Sequence, residues 1–343
     1  MRQALKHVFY GALHAAGLTG FALRKSRRHV PVLIYHGVAA RRWPAVLDCE
    51  GKHLPTADFD RQLAFLKDNF QVVTLARYAA ALSGGEPLPE GCAVITFDDG
   101  YEDNHESAFP LLRKYGLPAT VFLSADFVID KAPLWVDRLA WAFARTELGR
   151  WKAPSEGPAW PLETDAGKAA CYLWAKRGLK ALPDADREFF LCRICAALAG
   201  PEPAPLPELY RPLSRDQVRE MAASGLVEFG SHGCRHAILT SLPQEDARRE
   251  LVRSKEALEE FCGAPVRSFS YPNGDWTPGL ARMAAEAGYS CAVAGGLRLN
   301  PPTGADPFAI ARLALAAGDS PAMMAATLSG IRARVIGLAR GAP

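Results

Sequence analysis

An apolar run that ends in two adjacent carboxylates limits what this chain can fold into. Ala93-Val94-Ile95-Thr96-Phe97 leads directly into Asp98-Asp99-Gly100. A short apolar run bounded by glycine reads as a buried strand. Carboxylates at the end of such a strand are costly unless a counter-charge, hydrogen bonds or a metal satisfies them. At the C-terminal mouth of a parallel sheet or barrel they are well placed for chemistry. Two like charges side by side also push their pKa values apart, which allows different jobs. On the Asp-Gly dipeptide alone, the plainer reading is an Asx turn closing the strand.

Strand-like and helix-like runs alternate around this point. Val30 to Gly37 reads as a strand that ends at His36. Phe59, Leu63, Leu66 and Phe70 fall on one face of a helix that begins near Thr56. Val72-Val73 is a short strand, and Thr74 to Leu82 a second helix. Pro110 to Gly116 closes another helix, with glycine at its C-terminal side. Ala119 to Leu123 is a further buried strand. This order predicts a parallel α/β sheet or barrel. From about 127 to 210 the alternation stops. That segment carries Trp135, Trp141, Trp151, Trp160 and Trp174, and its end is proline-rich. It reads as a helical insertion closed by a linker. Indole faces can line a sugar groove, although core packing is their commoner use.

The alternation then resumes. Leu226 to Gly230 is a strand running into Ser231-His232-Gly233-Cys234-Arg235-His236. Two histidines with three residues between them can face one way on a helical turn and hold one metal. With a carboxylate from the Asp98-Asp99 pair they form a two-histidine, one-carboxylate site with open positions. Val266 to Ser270 is a strand, followed by a tight turn from Tyr271 to Trp276. Phe308 to Leu315 is the last strand-like run, and its Arg312 requires an acidic partner if buried.

The net charge of +3 is too small to argue for nucleic acid. Basic residues cluster at the two ends. Residues 1–29 read as a basic, partly apolar helix, too weakly apolar to span a membrane and without a clear cleavage site. Such a helix fits a membrane surface or packs on the barrel. Residues 321–343 read as a basic amphipathic helix carrying Arg332, Arg334 and Arg340. The expected organisation is therefore a main domain over 30–320 between two basic ends. Eight scattered cysteines show no disulfide framework and read as reduced thiols. Cys192-Arg193-Ile194-Cys195 has no second pair. The thiols point to a cytoplasmic or peripherally membrane-associated protein and leave export open.

Taken in order, the motifs resemble the polysaccharide deacetylase superfamily, carbohydrate esterase family four. The residues carrying the resemblance are Thr96-Phe97-Asp98-Asp99-Gly100, His232-Gly233-Cys234-Arg235-His236 and Phe269-Ser270-Tyr271-Pro272-Asn273-Gly274. Tyr35-His36 and Pro118-Ala119-Thr120-Val121-Phe122 also look like that family. The resemblance covers most of 30–125 and 211–315. It implies a distorted (β/α) barrel of about seven strands and a divalent metal, usually zinc. It also implies hydrolysis of an N-acetyl, or sometimes O-acetyl, group on a sugar of a polysaccharide or oligosaccharide. By the family pattern Asp98 is the catalytic base, and Asp99, His232 and His236 are the metal ligands. The turn holding Tyr271, Asn273 and Gly274 would help hold substrate or oxyanion.

The chain departs from that pattern twice. Ser270 stands where many members carry an arginine, and no histidine follows His236 to act as a late general acid. His36 is expected to serve as general acid or oxyanion donor instead. Arg312 is expected to orient Asp98 or lower its pKa. The alternatives are a deacetylase or deformylase of a lipid-linked sugar at the membrane, and a non-catalytic carbohydrate-binding relative.

Overall fold

Apolar runs of four to six residues, punctuated by glycine and proline, become the strands of a computed structural model that describes residues 2–152, 158–200, 205–333 and 335. In chain order the strands are β1 (Val32–Tyr35), β2 (Gly37–Ala39), β3 (His53–Pro55), β4 (Gln71–Val72), β5 (Cys92–Phe97) and β6 (Ala119–Leu123). They continue with β7 (Arg150–Lys152), β8 (Ala159–Pro161), β9 (Val227–Ser231), β10 (Ser268–Ser270), β11 (Cys291–Ala294) and β12 (Ile310–Ala311).

Seven strands form one parallel sheet in the order β1-β5-β6-β9-β10-β11-β12, and β4 pairs with the opening residues of β5. The sheet rolls back on itself. Leu313 N–H donates to the Val32 carbonyl at 2.8 Å, and Ile34 N–H donates to the Leu313 carbonyl at 3.0 Å. The result is the expected distorted (β/α) barrel of about seven strands, nearly closed. Every residue of β5 is buried, so its sequence is an unbroken apolar run and not an alternation. Alternate residues still face opposite ways. Val32, Val94, Phe122, Val293 and Ile310 join one cluster, and Leu33, Ile95, Leu123 and Phe269 join the main core.

The helices are α1 (Arg2–Ala15), α2 (Leu18–Lys25), α3 (Thr56–Asn69), α4 (Leu75–Leu82), α5 (Phe109–Tyr115) and α6 (Ala125–Ile129). After them come α7 (Trp135–Arg145), α8 (Asp165–Lys180), α9 (Asp184–Ala199), α10 (Arg215–Ala223), α11 (Gln244–Cys262), α12 (Pro278–Glu286) and α13 (Pro321–Leu328). Helices α1 and α2 are separated at Gly17, which sits in the left-handed region. Tyr10 of α1 packs with Ala322, Met323 and Ala326 of α13. Arg334 and Arg340 lie outside the described residues. The tryptophans of 135–174 pack on the core and on one another, with Trp151–Trp174 and Trp160–Trp174 centroids 6.4 and 6.0 Å apart. None of them lines the cleft described below.

Two local expectations need correction. The segment from His232 to His236 is a loop and not a helical turn, with Gly233 at φ 81° and His236 at φ 57°. The last strand is only Ile310–Ala311, because Arg312 leaves the ladder to reach a carboxylate inside the barrel mouth.

Two glycines fix the rim. Gly100 has φ 90°, and a Cβ there would lie 2.7 Å from Leu123 Cδ2. Gly274 has φ 78°, and its Cβ would lie 2.7 Å from both N and Cα of Gly295. A neighbouring backbone cannot move aside as a side chain can. Gly274→Ala is expected to lower the unfolding free energy by about 2–4 kcal/mol, combining a left-handed strain term with overpacking. Urea denaturation measures this, and a loss under about 0.5 kcal/mol, the range of an unremarkable surface change, contradicts it.

Candidate active site

All the strands of the barrel sheet run one way, so their C-terminal ends meet at one rim. Tyr35 ends β1 and His36 follows it, Asp98-Asp99 follow β5, His232 follows β9 and Arg312 follows β12. Asp98 N–H continues the ladder to the Tyr35 carbonyl at 2.9 Å, which holds the carboxylate pair at the mouth.

The two aspartates are treated in opposite ways. Asp98 is gripped by Arg312, with Nη1 2.6 Å from Oδ1 and Nη2 2.7 Å from Oδ2. Ser270 Oγ accepts from Arg312 Nη2 at 2.9 Å and donates to Asp98 Oδ2 at 3.3 Å. Thr96 Oγ1 accepts from Arg312 Nη1 at 3.3 Å. Burial alone would raise Asp98, but the guanidinium outweighs it and holds the carboxyl down at about 2. The expected partnership of Arg312 with Asp98 is therefore present as a buried bidentate pair.

Asp99 is fully buried, and neither of its oxygens accepts a hydrogen bond. Its Oδ1 lies 3.6 Å from His232 Nε2 and 3.5 Å from His236 Nε2. Its Oδ2 lies 3.5 Å from Lys52 Nζ. Burial raises Asp99, but Lys52 and the nearby histidines hold it far below the carboxylate range. His232 Nδ1 is 2.7 Å from the Ser270 carbonyl, which can only accept. Nδ1 therefore carries a proton, and Nε2 faces the aspartates. Burial lowers His236 to about 3, so it is neutral near pH 7.

One carboxylate oxygen and two imidazole nitrogens lie within 4.8 Å of one another, the only such cluster among the described residues. A buried carboxylate without a donor is rare in folded proteins. A divalent cation fits this donor set. Asp99 (φ 76°), His236 (φ 57°) and Asn273 (φ 64°) are three of the four described non-glycine residues with positive φ. Strain of this kind gathers at functional sites.

His36 is half-buried and lines the same cleft as Asp98, His232, His236 and Arg312. Burial pushes its imidazole down to about 4. Asn273 and Gly274 form part of the opposite wall. Tyr271 does not: its hydroxyl donates to the Phe308 carbonyl at 3.2 Å, and the side chain is buried away from the cleft. In that turn Tyr271 N–H is spent on Val293 and Gly274 N–H on Tyr271, which leaves Asn273 N–H as the remaining donor.

Sequence reasoning missed three lysines, Lys52, Lys176 and Lys180, and Glu50 beside them. Lys52 bridges Asp99 and Asp137, whose carboxylate accepts from the Tyr101 hydroxyl at 2.8 Å. Burial lifts Asp137 to about 6. Nothing in the spacing around Lys52 announces this. Lys176 and Lys180 share one face of α8 at i,i+4, a pattern that usually marks a solvated helix surface.

Asp98 also sets an acid limit. Its folded pKa lies below the unfolded value of 3.8, so its contribution is complete above that value and is lost as pH falls towards about 2. The stability gap between metal-free wild type and Asp98→Asn should therefore narrow by about 2 kcal/mol from pH 5 to pH 2. Urea titrations across that range measure the gap, and a constant gap contradicts the assignment.

The comparisons agree with this geometry. The sequence profile of the family described as polysaccharide deacetylase matches residues 85–152 and 163–292, more than half of the chain. YxkH of Bacillus subtilis (strain 168), named as a polysaccharide deacetylase, is 34% identical over 111 residues, 32% of this chain and 37% of that protein. The poly-beta-1,6-N-acetyl-D-glucosamine N-deacetylase of Escherichia coli (strain K12) is 42% identical over 65 residues, 19% of this chain and 10% of that protein. The matched segments thus span well under half of these relatives. Among solved structures, the Streptococcus pyogenes deacetylase PplD in complex with acetate covers 88% of this chain and 98% of its own, at TM-score 0.58 and 17% identity. IcaB from Ammonifex degensii covers 88% and 97%, at TM-score 0.56 and 21% identity. At such identities the structural likeness speaks for the fold alone. Profile and barrel agree, and the chain belongs to the polysaccharide deacetylase family.

Proposed function

We propose that this chain is a metal-dependent hydrolase that removes an N-acetyl group from a sugar of a polysaccharide or oligosaccharide. The observation that carries the reading is the donor-free buried Asp99 beside the ring nitrogens of His232 and His236, next to an Asp98 locked by Arg312 at the mouth of a cleft. Asp99, His232 and His236 would hold a divalent cation, zinc being the expected one. Such a cation, when bound, supplies Lewis acidity towards a carbonyl and lowers the pKa of water.

The residues of the chain do the rest. Asp98 stays ionised through the neutral range and takes the proton of the attacking water. Arg312 and Ser270 fix the plane of that carboxylate, so the proton arrives at a defined oxygen. His36 is neutral near pH 7 and serves as an N–H donor to the developing oxyanion, together with Asn273 N–H. The C–N bond breaks as Asp98 returns its proton to the departing amine, giving acetate and a free amino sugar. A non-catalytic sugar binder would need neither the three-donor cluster nor the locked base.

Acetate release from acetylated oligosaccharides tests this on metal-reconstituted protein. Asp98→Asn should lower the rate by about 100- to 10,000-fold. His36→Ala should lower it by about 100-fold. Undiminished release by Asp98→Asn, or a metal-loaded wild type that releases acetate from nothing, sinks the reading.

A second reading places the sugar on a membrane lipid, and one observation favours it. Residues 1–47 contain no Asp or Glu. Val8, Phe9, Leu18 and Phe21 of α1 and α2 are exposed, beside exposed Arg24, Lys25, Arg27 and Arg28. An apolar stripe flanked by cations suits an anionic lipid surface. No helix among the described residues is long and apolar enough to cross a membrane. The protein should float with phosphatidylglycerol vesicles at low salt and not with phosphatidylcholine vesicles. Phe9→Glu with Phe21→Glu should abolish flotation; equal flotation with both lipids removes this reading.

A further inference from the structure

The charges lining the cleft do not balance. Lys52, Lys176, Lys180 and Arg312 line it, against the carboxylates of Glu50 and Asp98. Asp99 and Asp137, buried behind Lys52, bring the count level, but both lie on Lys52 and neither reaches Lys180. Pairing accounts for three of the four. Arg312 is bound to Asp98, Lys52 lies against Asp99, and Lys176 forms an ion pair with Glu50. Among the described residues, Lys180 has no carboxylate within ion-pair distance. Its Nζ rests on the Asn273 side-chain carbonyl, a neutral acceptor. A divalent cation at Asp99 would raise the surplus further.

The position of this surplus matters. Lys176 and Lys180 are one helical turn apart on α8, so both side chains emerge on the same face. Lys180 touches Asn273, in the turn that forms one wall of the cleft. The unmatched cation thus lies beside the reacting position and not at it. Burial lowers Lys180; the more distant charges of Glu50 and Asp275 oppose this and Lys52 adds to it, and the lowering prevails, so an arriving anion would relieve an existing penalty. A purely neutral glycan would leave the penalty in place.

We propose that the substrate is an acetylated sugar that also carries an anionic group, a phosphate or a carboxylate, and that Lys180, with Lys176 beside it, binds that group. This rests on the deacetylase reading for the acetyl group but not for the anion site. In the complex the anion displaces the Asn273 carbonyl from Lys180 Nζ and forms a charge-assisted hydrogen bond. A sugar phosphate on a lipid and a uronic acid in a polysaccharide offer the same chemistry here.

Calorimetry on the whole chain, metal-free, decides the matter without turnover. The probes are N-acetylglucosamine, N-acetylglucosamine 1-phosphate, and an acetylated disaccharide carrying glucuronate. At least one anionic probe should bind about tenfold or more tightly than the neutral sugar. That preference should shrink with added salt, vanish in Lys180→Gln and persist in Lys180→Arg. Preference for the phosphate probe alone points to a sugar-phosphate source, and preference for glucuronate alone to an acidic polysaccharide. Equal binding of all three, no binding of either anion, or a preference that survives Lys180→Gln overturns the proposal. Acetate release from metal-loaded protein is then run on the same probes. No release together with a Lys180-dependent anion preference refutes the deacetylase reading and leaves the anion site standing. Equal release from neutral and anionic probes, with no binding preference, does the reverse.

Discussion

Two adjacent carboxylates at the end of β5 must both be buried, and the molecule solves the two cases differently. Asp98 receives a full bidentate partner in Arg312. Asp99 receives only one ammonium and two imidazole nitrogens at 3.5–3.6 Å and no hydrogen bond. A buried charge held so loosely is costly on its own. The rim around it is arranged accordingly. His232 is fixed by the Ser270 carbonyl so that its Nε2 faces inward, and Lys52 covers the other oxygen. One aspartate is thus kept ionised through the neutral range, while the other keeps two oxygens that accept no hydrogen bond.

The Arg312 lock depends on how the barrel closes. Leu313 bridges Leu33 across the seam, and this places the residue before it at the mouth beside β5. Ser270 then becomes intelligible. The family often carries an arginine near that position, whereas here a small hydroxyl leaves room for a guanidinium arriving from the neighbouring end of the sheet. The hydroxyl accepts from Arg312 and donates to Asp98, so the serine completes the pair.

Much of this was legible in the chain because it depends on strand ends. An apolar run that stops at a polar residue marks the rim of a parallel barrel, and Asp98, Asp99, His36 and His232 were found that way; Arg312 stood out as a charge inside an apolar run. The loop that turns His236 back towards Asp99 was not legible as such. Its shape comes from left-handed backbone at Gly233 and His236, which no periodicity records. Tyr271 was misplaced for a related reason: a turn's sequence does not say which side chains face the cleft and which the core. Lys52, Lys176 and Lys180 were invisible because their roles arise only when distant segments meet. A loop lysine and an i,i+4 pair on a helix look the same whether they face water or a catalytic mouth.

The strained residues give the remaining step. Asp99, His236 and Asn273 each hold a left-handed conformation, at a cost of about 1–3 kcal/mol apiece. A fold keeps such residues only where the surrounding structure over-determines them. Gly100 and Gly274 do part of that at Asp99 and Asn273, since each sits against a neighbour that a Cβ would strike. The strain and the donor-free carboxylate both raise the energy of the mouth. On the proposed reading, a cation among Asp99, His232 and His236 would supply the counter-charge that Asp99 lacks. The unmatched Lys180 stands outside that cluster, so the cation does not satisfy it. Its partner has to come with the substrate.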